Sequence, residues 1–330
     1  MNPAESKPVA ISYAVFASAL LLAGWLQMAT LLITVLFGYF ALNKLTFYRI
    51  RWLAVVLFLM MVCVFFSSFV YFLRATFEAL PKIASKSIPE VVQYANTHGI
   101  DLPFDDKESL KDVVLNALGQ AKGYLGNFAK LATKEFLILV AGVVIAIGIF
   151  LQHQPAEAPT GVATLYSHCY SLILSRFCSF YESFETVMGA QMIISAINTA
   201  ATSAFVFAFQ LPYAGVVIPL TFICGLLPIV GNLLSNTLIM GIAFTLSPKM
   251  AVWALLFLLV VHKLEYFLNS QIIGSRIRHP MWLTLIALIL GESLMGIPGI
   301  ILAPVFLNFL KVEGSRYPLT ELPPAKSRAG

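Results

Sequence analysis

Two apolar stretches in the second half of the chain are each interrupted at the middle by proline and glycine. Tyr213–Leu246 is broken at GLLPIVGN, through Gly225, Pro228, Gly231 and Asn232. Met281–Leu310 is broken at GESLMGIPG, through Gly291, Glu292, Gly296, Pro298 and Gly299. Neither stretch carries a lysine or arginine, and Glu292 is the one charged residue in either. A lipid environment accepts a broken helix only where protein or water satisfies the freed backbone groups. Paired broken segments point to the substrate path of a transporter.

Composition agrees with a lipid environment. Of 330 residues, 59% are hydrophobic and 11% charged, against about 25% charged in a soluble domain. The apolar runs are too many for one buried core, so the expectation is a polytopic, all-α membrane protein. The N-terminus has one lysine and no A-x-A site before its long apolar run, so Val9 onward reads as a retained anchor rather than a cleaved leader. The net charge of +5 gathers in short loops, as the positive-inside bias predicts, and needs no nucleic acid to explain it. Cys63, Cys169, Cys178 and Cys224 form no CxxC or Cys/His cluster and read as small apolar residues. No metal site and no cofactor is expected.

Val9–Leu42 carries no charge. As one helix it would be about 50 Å long, too long for one crossing, so a turn near Gly24–Trp25 is expected to make two short spans. Trp52–Leu73 reads as a third span, completing a first block over 1–75. Residues 76–134 hold all four aspartates (Asp101, Asp105, Asp106, Asp112) and read as an extramembrane helical segment. The fourth span falls within 135–152. Residues 153–186 read as a cytoplasmic loop followed by an interfacial helix. A transport core is expected over 187–311, with spans Val187–Leu211 and Ala251–Ile273 each followed by one broken stretch, and a flexible cytoplasmic tail over 312–330.

Short-loop charges set the orientation. Lys7, Lys44, Arg49 and Arg51 place the N-terminus and the loop before the third span in the cytoplasm. If each broken stretch enters and leaves on the same side, Arg276, Arg278, Lys311, Arg316, Lys326 and Arg328 are cytoplasmic too. The arms of the first stretch allow either a re-entrant hairpin or two spans; those of the second, roughly 10 and 14 residues, read as too short to cross twice. The expected fold therefore has about eight membrane segments, with two opposed broken hairpins forming an inverted repeat of span plus hairpin. Trp25, Trp52, Trp253 and Trp282 fall at predicted span ends, where indole rings anchor.

Glu265 is the strongest candidate for chemistry, because an ionisable group inside an apolar span is costly and marks a cavity or a partner. His262 and Asn269 fall on its face at helical spacing; Lys263 does not. The structural alternative is an interfacial cluster in which Glu265 pairs with Arg276 or Arg278. Glu292 near the second break reads either as a proton- or cation-linked group or as a helix cap. Asn232 and Asn236 after the first break, and Gln191 and Asn198 in the fifth span, read either as site-lining groups or as interhelical hydrogen-bond glue. Gly225, Pro228, Gly231, Gly291, Gly296, Pro298 and Gly299 shape the hairpins whatever is carried. No phosphate-binding loop, HExxH, GxGD or GxSxG is present, so neither an ATP-driven pump nor an intramembrane protease is expected.

GLLPIVGN, the span carrying Glu265 followed by IRHP (Ile277–Pro280), the run Gly291…Gly296-x-Pro298-Gly299-x4-Pro304 and FETVMGAQ (Phe184–Gln191) together resemble the autoinducer-2 exporter family of PerM-like permeases. The resemblance covers nearly the whole chain and is most specific from Phe184 to Pro304. Asn232 departs from the family's pattern, in which a second proline commonly follows the glycine. The resemblance implies a homo-oligomer in the bacterial inner membrane, possible as a pentamer, and loop charge places both termini in the cytoplasm. The resemblance also implies secondary transport without ATP, and the missing catalytic motifs give no reason to expect an enzyme. The expected function is export of a small hydrophilic solute, autoinducer-2-like, by alternating access. The alternatives are a sodium/proton antiporter using Glu265 and a membrane scaffold acting through residues 76–134. Expected partners are the lipid bilayer and a small polar solute or monovalent cation.

Overall fold

The computed structural model describes residues 3–46, 50–97, 125–152, 165–227, 230–268 and 280–316. Every regular element among them is an α-helix. In chain order these are α1 (Pro3–Trp25), α2 (Ala29–Lys44), α3 (Arg51–Thr97), α4 (Leu125–Gln152) and α5 (Leu165–Ala208). They continue with α6 (Ala214–Gly225), α7 (Val230–Leu246), α8 (Pro248–Leu268), α9 (Met281–Met295) and α10 (Ile297–Ser315). Six of the described helices are long and apolar enough to cross a membrane, and four apolar helices are shorter. The protein is an all-α, polytopic membrane protein.

The chain divides into two compact units. The larger comprises 27–155 and 188–278 and holds α2–α4, the C-terminal part of α5, and α6–α8. The smaller comprises 1–26, 156–187 and 279–330 and holds α1, the N-terminal part of α5, α9 and α10.

Within the larger unit, α2 packs along α4 through small residues. A Cβ at Gly142 would lie 2.7 Å from the Thr34 Cβ, and one at Gly38 would lie 2.8 Å from that of Ala146. Close approach of this kind is how helices associate in lipid, where hydrophobic burial supplies no drive. Leu42, Ala54, Val55, Phe58 and Phe150 complete the α2–α3–α4 core.

A second core joins α3 and α5–α8. Phe72, Ala79 and Ile83 of α3 lie on one helical face and bury beside Ile239, Ile242 and Ala243 of α7. This contact explains why α3 continues past Leu73; the helix runs on to Thr97. Packing outweighs the hydrogen bonds lost at Pro81 and Pro89. Residues 98–124 of the expected extramembrane segment lie outside the described residues.

In the smaller unit, α9 and α10 form the second hairpin. Gly296 joins them with φ 63° and ψ −144°, a conformation open to glycine and strained for other residues. Pro298 sits in the first turn of α10, where a missing N–H leaves no helical bond unmade. The break is confined to this point, so the arms are 15 and 19 residues, longer than the sequence suggests. α10 alone has the length of a crossing, and it runs past Lys311 to Ser315, so 312–315 are helix rather than tail.

The N-terminal apolar run does turn at the expected place, between Trp25 and Ala29. The interfacial helix and the fifth span prove to be one continuous helix, α5. Trp25, Trp52, Trp253 and Trp282 are all exposed.

Candidate functional site

The first hairpin, α6–α7, surrounds the break that the sequence marks, of which Pro228 lies outside the described residues. Its two arms touch backbone to backbone: a Cβ at Gly231 would sit 1.6 Å from the Cys224 carbonyl oxygen. The turn after α6 frees carbonyls that a continuous helix would use, and α5 supplies side chains to them. Ser195 Oγ donates to the Phe222 carbonyl at 2.7 Å, and Gln191 Nε2 donates to the Gly225 carbonyl at 2.5 Å. Gly225 is required here as well, because a Cβ would fall 2.5 Å from Ser195 Oγ. These bonds supply the internal satisfaction that a broken helix in lipid needs.

Further along the same stripe of α5, Asn198 and Thr202 turn toward a small polar cleft within the larger unit. Gln191, Ser195, Asn198 and Thr202 recur at i, i+4, i+7 and i+11, the spacing of one helical face. Thr221 of α6 and Asn232, Ser235 and Asn236 of α7 line the next two walls. His262 and Glu265 of α8 line the last, while Ile239, Leu258 and Val261 supply apolar surface. The cleft has room for about one or two waters.

Glu265 is held from across the cleft. Asn232 Nδ2 donates to both carboxylate oxygens, at 2.7 Å each. Asn198 is 95% buried, and its carboxamide oxygen has no hydrogen-bond partner among the described residues. A buried acceptor left in this state is costly unless a donor or a cation reaches it. The cleft thus combines one carboxylate, a bare carboxamide oxygen and several hydroxyls, the oxygen-rich chemistry suited to a proton or a hard cation.

Five of the sequence candidates therefore come together in one unit: Gln191 as a clasp on the break, and Asn198, Asn232, Asn236 and Glu265 around the cleft. Asn269, Arg276 and Arg278 lie outside the described residues, so the pairing of Glu265 with either arginine does too. Glu292 belongs to the smaller unit, is exposed in the last turn of α9, and does not line the cleft. Sequence reasoning overlooked Ser195, Thr202 and Thr221. The first two were legible as members of the i, i+4, i+7, i+11 stripe; Thr221 carries no such signal.

The smaller unit holds a different polar cluster that the sequence did not reveal. Glu313 of α10 is buried and accepts from the Tyr13 hydroxyl of α1 at 2.7 Å and from Arg176 of α5. Arg316 pairs with its other oxygen at 2.9 Å. The Arg176 guanidinium lies 4.3 Å from the Tyr13 ring centroid, a cation–π contact. Phe16, Phe180 and Phe309 of the same three helices pack against one another, with ring centroids 4.9–5.7 Å apart. One carboxylate thus joins α1, α5 and α10.

A family model described as AI-2E family transporter matches residues 9–317. The chain belongs to the AI-2E transporter family. It is also similar to the protein named "Putative transport protein YdbI" of Bacillus subtilis (strain 168), at 29% identity over 136 residues. That match covers 40% of this chain and 39% of the relative's length. The cleft at Glu265 is a polar site within the larger unit of this AI-2E family member.

Proposed function

We propose that this AI-2E family member is a secondary transporter exchanging protons for a monovalent cation, with Glu265 as the exchange carboxylate. The observation that carries the reading is the Asn232–Glu265 pair in a cleft with space for about one or two waters. A proton and a partly dehydrated cation fit such a volume. Asn198 supplies a buried oxygen with no other partner among the described residues, and Thr202, Ser235 and Asn236 supply further oxygens at the walls. One carboxylate that holds either a proton or a cation, but not both, couples the two fluxes without ATP. Residence in the bacterial inner membrane as a homo-oligomer, with cytoplasmic termini, is part of this proposal and rests on the family resemblance and on loop charge.

The second reading is export of a small hydrophilic, autoinducer-2-like solute by alternating access. The family's description favours it. It requires the cleft to widen by several waters' volume, with Glu265 then serving as a hydrogen-bond acceptor for hydroxyl groups.

Flux measurements in proteoliposomes separate the two. Under an imposed pH gradient, the wild-type protein should move sodium or another monovalent cation, and Glu265→Gln should abolish that flux. Cation-independent movement of labelled autoinducer-2, surviving Glu265→Gln, would overturn the exchange proposal in favour of the second reading.

A further inference from the structure

We propose that His262 is the pH-sensing residue of the cleft, and that its imidazolium lowers the affinity of the Glu265 site for the transported cation. The inference rests on the exchange reading above and adds regulation to it. His262 lies one turn before Glu265 on α8, and both line the cleft. The positions differ in placement: Glu265 is half-buried, whereas His262 is exposed. Among the described residues no hydrogen bond or ion pair engages the imidazole.

The electrostatic surroundings are simple. The described parts of α6 and α7 contain no charged residue, and neither does α5 from Met188 to Ala208. On α8 itself, Lys263 and Tyr266 are exposed and line no part of the cleft. His262 and Glu265 are therefore the two ionisable groups among the described residues that line it. At a given state of Glu265, an imidazolium at His262 would add one positive charge to the cleft.

Histidine is the side chain whose ordinary ionisation falls between about pH 5 and 8. Residues three apart on a helix face are roughly 6 Å apart. A unit positive charge at that distance, at an effective dielectric of about 40 for a half-solvated site, weakens binding of a second cation about tenfold. Acidification on the side to which the cleft opens would then release the cation by two routes. One is direct competition by protons at Glu265, and the other is repulsion from His262. The second route steepens the response to pH beyond what one carboxylate gives.

Cation flux is measured in proteoliposomes at pH 8 and pH 6 for the wild type, His262→Gln and His262→Lys. At pH 8 His262→Lys, carrying a fixed charge, should have an apparent KM about tenfold weaker than His262→Gln. At pH 6 the wild type should approach His262→Lys, and His262→Gln should retain only the proton competition at Glu265. Equal KM values for His262→Lys and His262→Gln at pH 8 would overturn the proposal, as would a wild type that follows His262→Gln at both pH values. If His262→Lys fails to fold, the wild-type and His262→Gln profiles decide alone. Failure of the exchange reading looks different: the wild type then moves no cation, and this inference falls with it.

Discussion

At the scale of single residues, the pairing of Asn232 with Glu265 decides what the cleft can do. A hydrogen bond to a charged group contributes about 1.5–3 kcal/mol, and here the amide also fixes which way the carboxylate faces. Asn232→Ala should therefore reduce cation flux at subsaturating concentration by about tenfold or more, while the protein still folds and elutes as wild type. Unchanged flux in that variant would remove Asn232 from the site. Glu265 was legible in the sequence because a lone carboxylate in an apolar span needs a reason. Its partner was less so. Asn232 stood out only as a departure from the family's pattern, and nothing in the sequence states that it reaches α8. Thr221 was invisible for a plainer reason: a threonine in an apolar helix has no spacing or charge to distinguish a wall from filler.

At the scale of elements, each hairpin is fixed by a backbone contact that leaves no space for a side chain. A Cβ at Gly231 would meet the Cys224 carbonyl at 1.6 Å, and one at Gly299 would meet the Gly291 carbonyl at 1.8 Å. Overpacking against a flexible side chain costs about 1–3 kcal/mol; against backbone the arms themselves must separate. Gly231→Ala should abolish transport and lower the thermal midpoint in detergent. Gly299→Ala should lower the midpoint by a similar amount. A normal midpoint in both variants would show that the arms are free to part. The glycines were readable from sequence, since only close approach or an unusual φ justifies so many at one point. Helix lengths were less readable. The extension of α3 past Leu73 depends on burial against α7, which local propensity does not encode, and two prolines argue against it.

At the scale of the whole molecule, the smaller unit is assembled from segments far apart in sequence, and Glu313 is where they meet. Removing one member of a buried ion pair leaves an uncompensated charge and costs about 3–5 kcal/mol. Arg176→Ala and Glu313→Ala should each lower the thermal midpoint in detergent markedly, and Arg176→Ala combined with Glu313→Ala should be less harmful than the two losses added together. Strict additivity would show that the pair is not coupled. The all-α, polytopic architecture was evident from apolar runs and loop charge, because lipid admits few alternatives. The cluster was hidden because Glu313 sits where the sequence turns polar, beside Lys311 and Arg316, and resembles the start of a tail. Its position has a consequence for how the protein is made. Arg176 and Glu313 are separated by 137 residues, which a ribosome takes roughly 7–30 s to add. Throughout that interval the nascent chain carries an arginine whose acidic partner has not yet been synthesised. A translational pause or a premature stop before Glu313 would leave this segment recognisable to membrane quality control as unfinished.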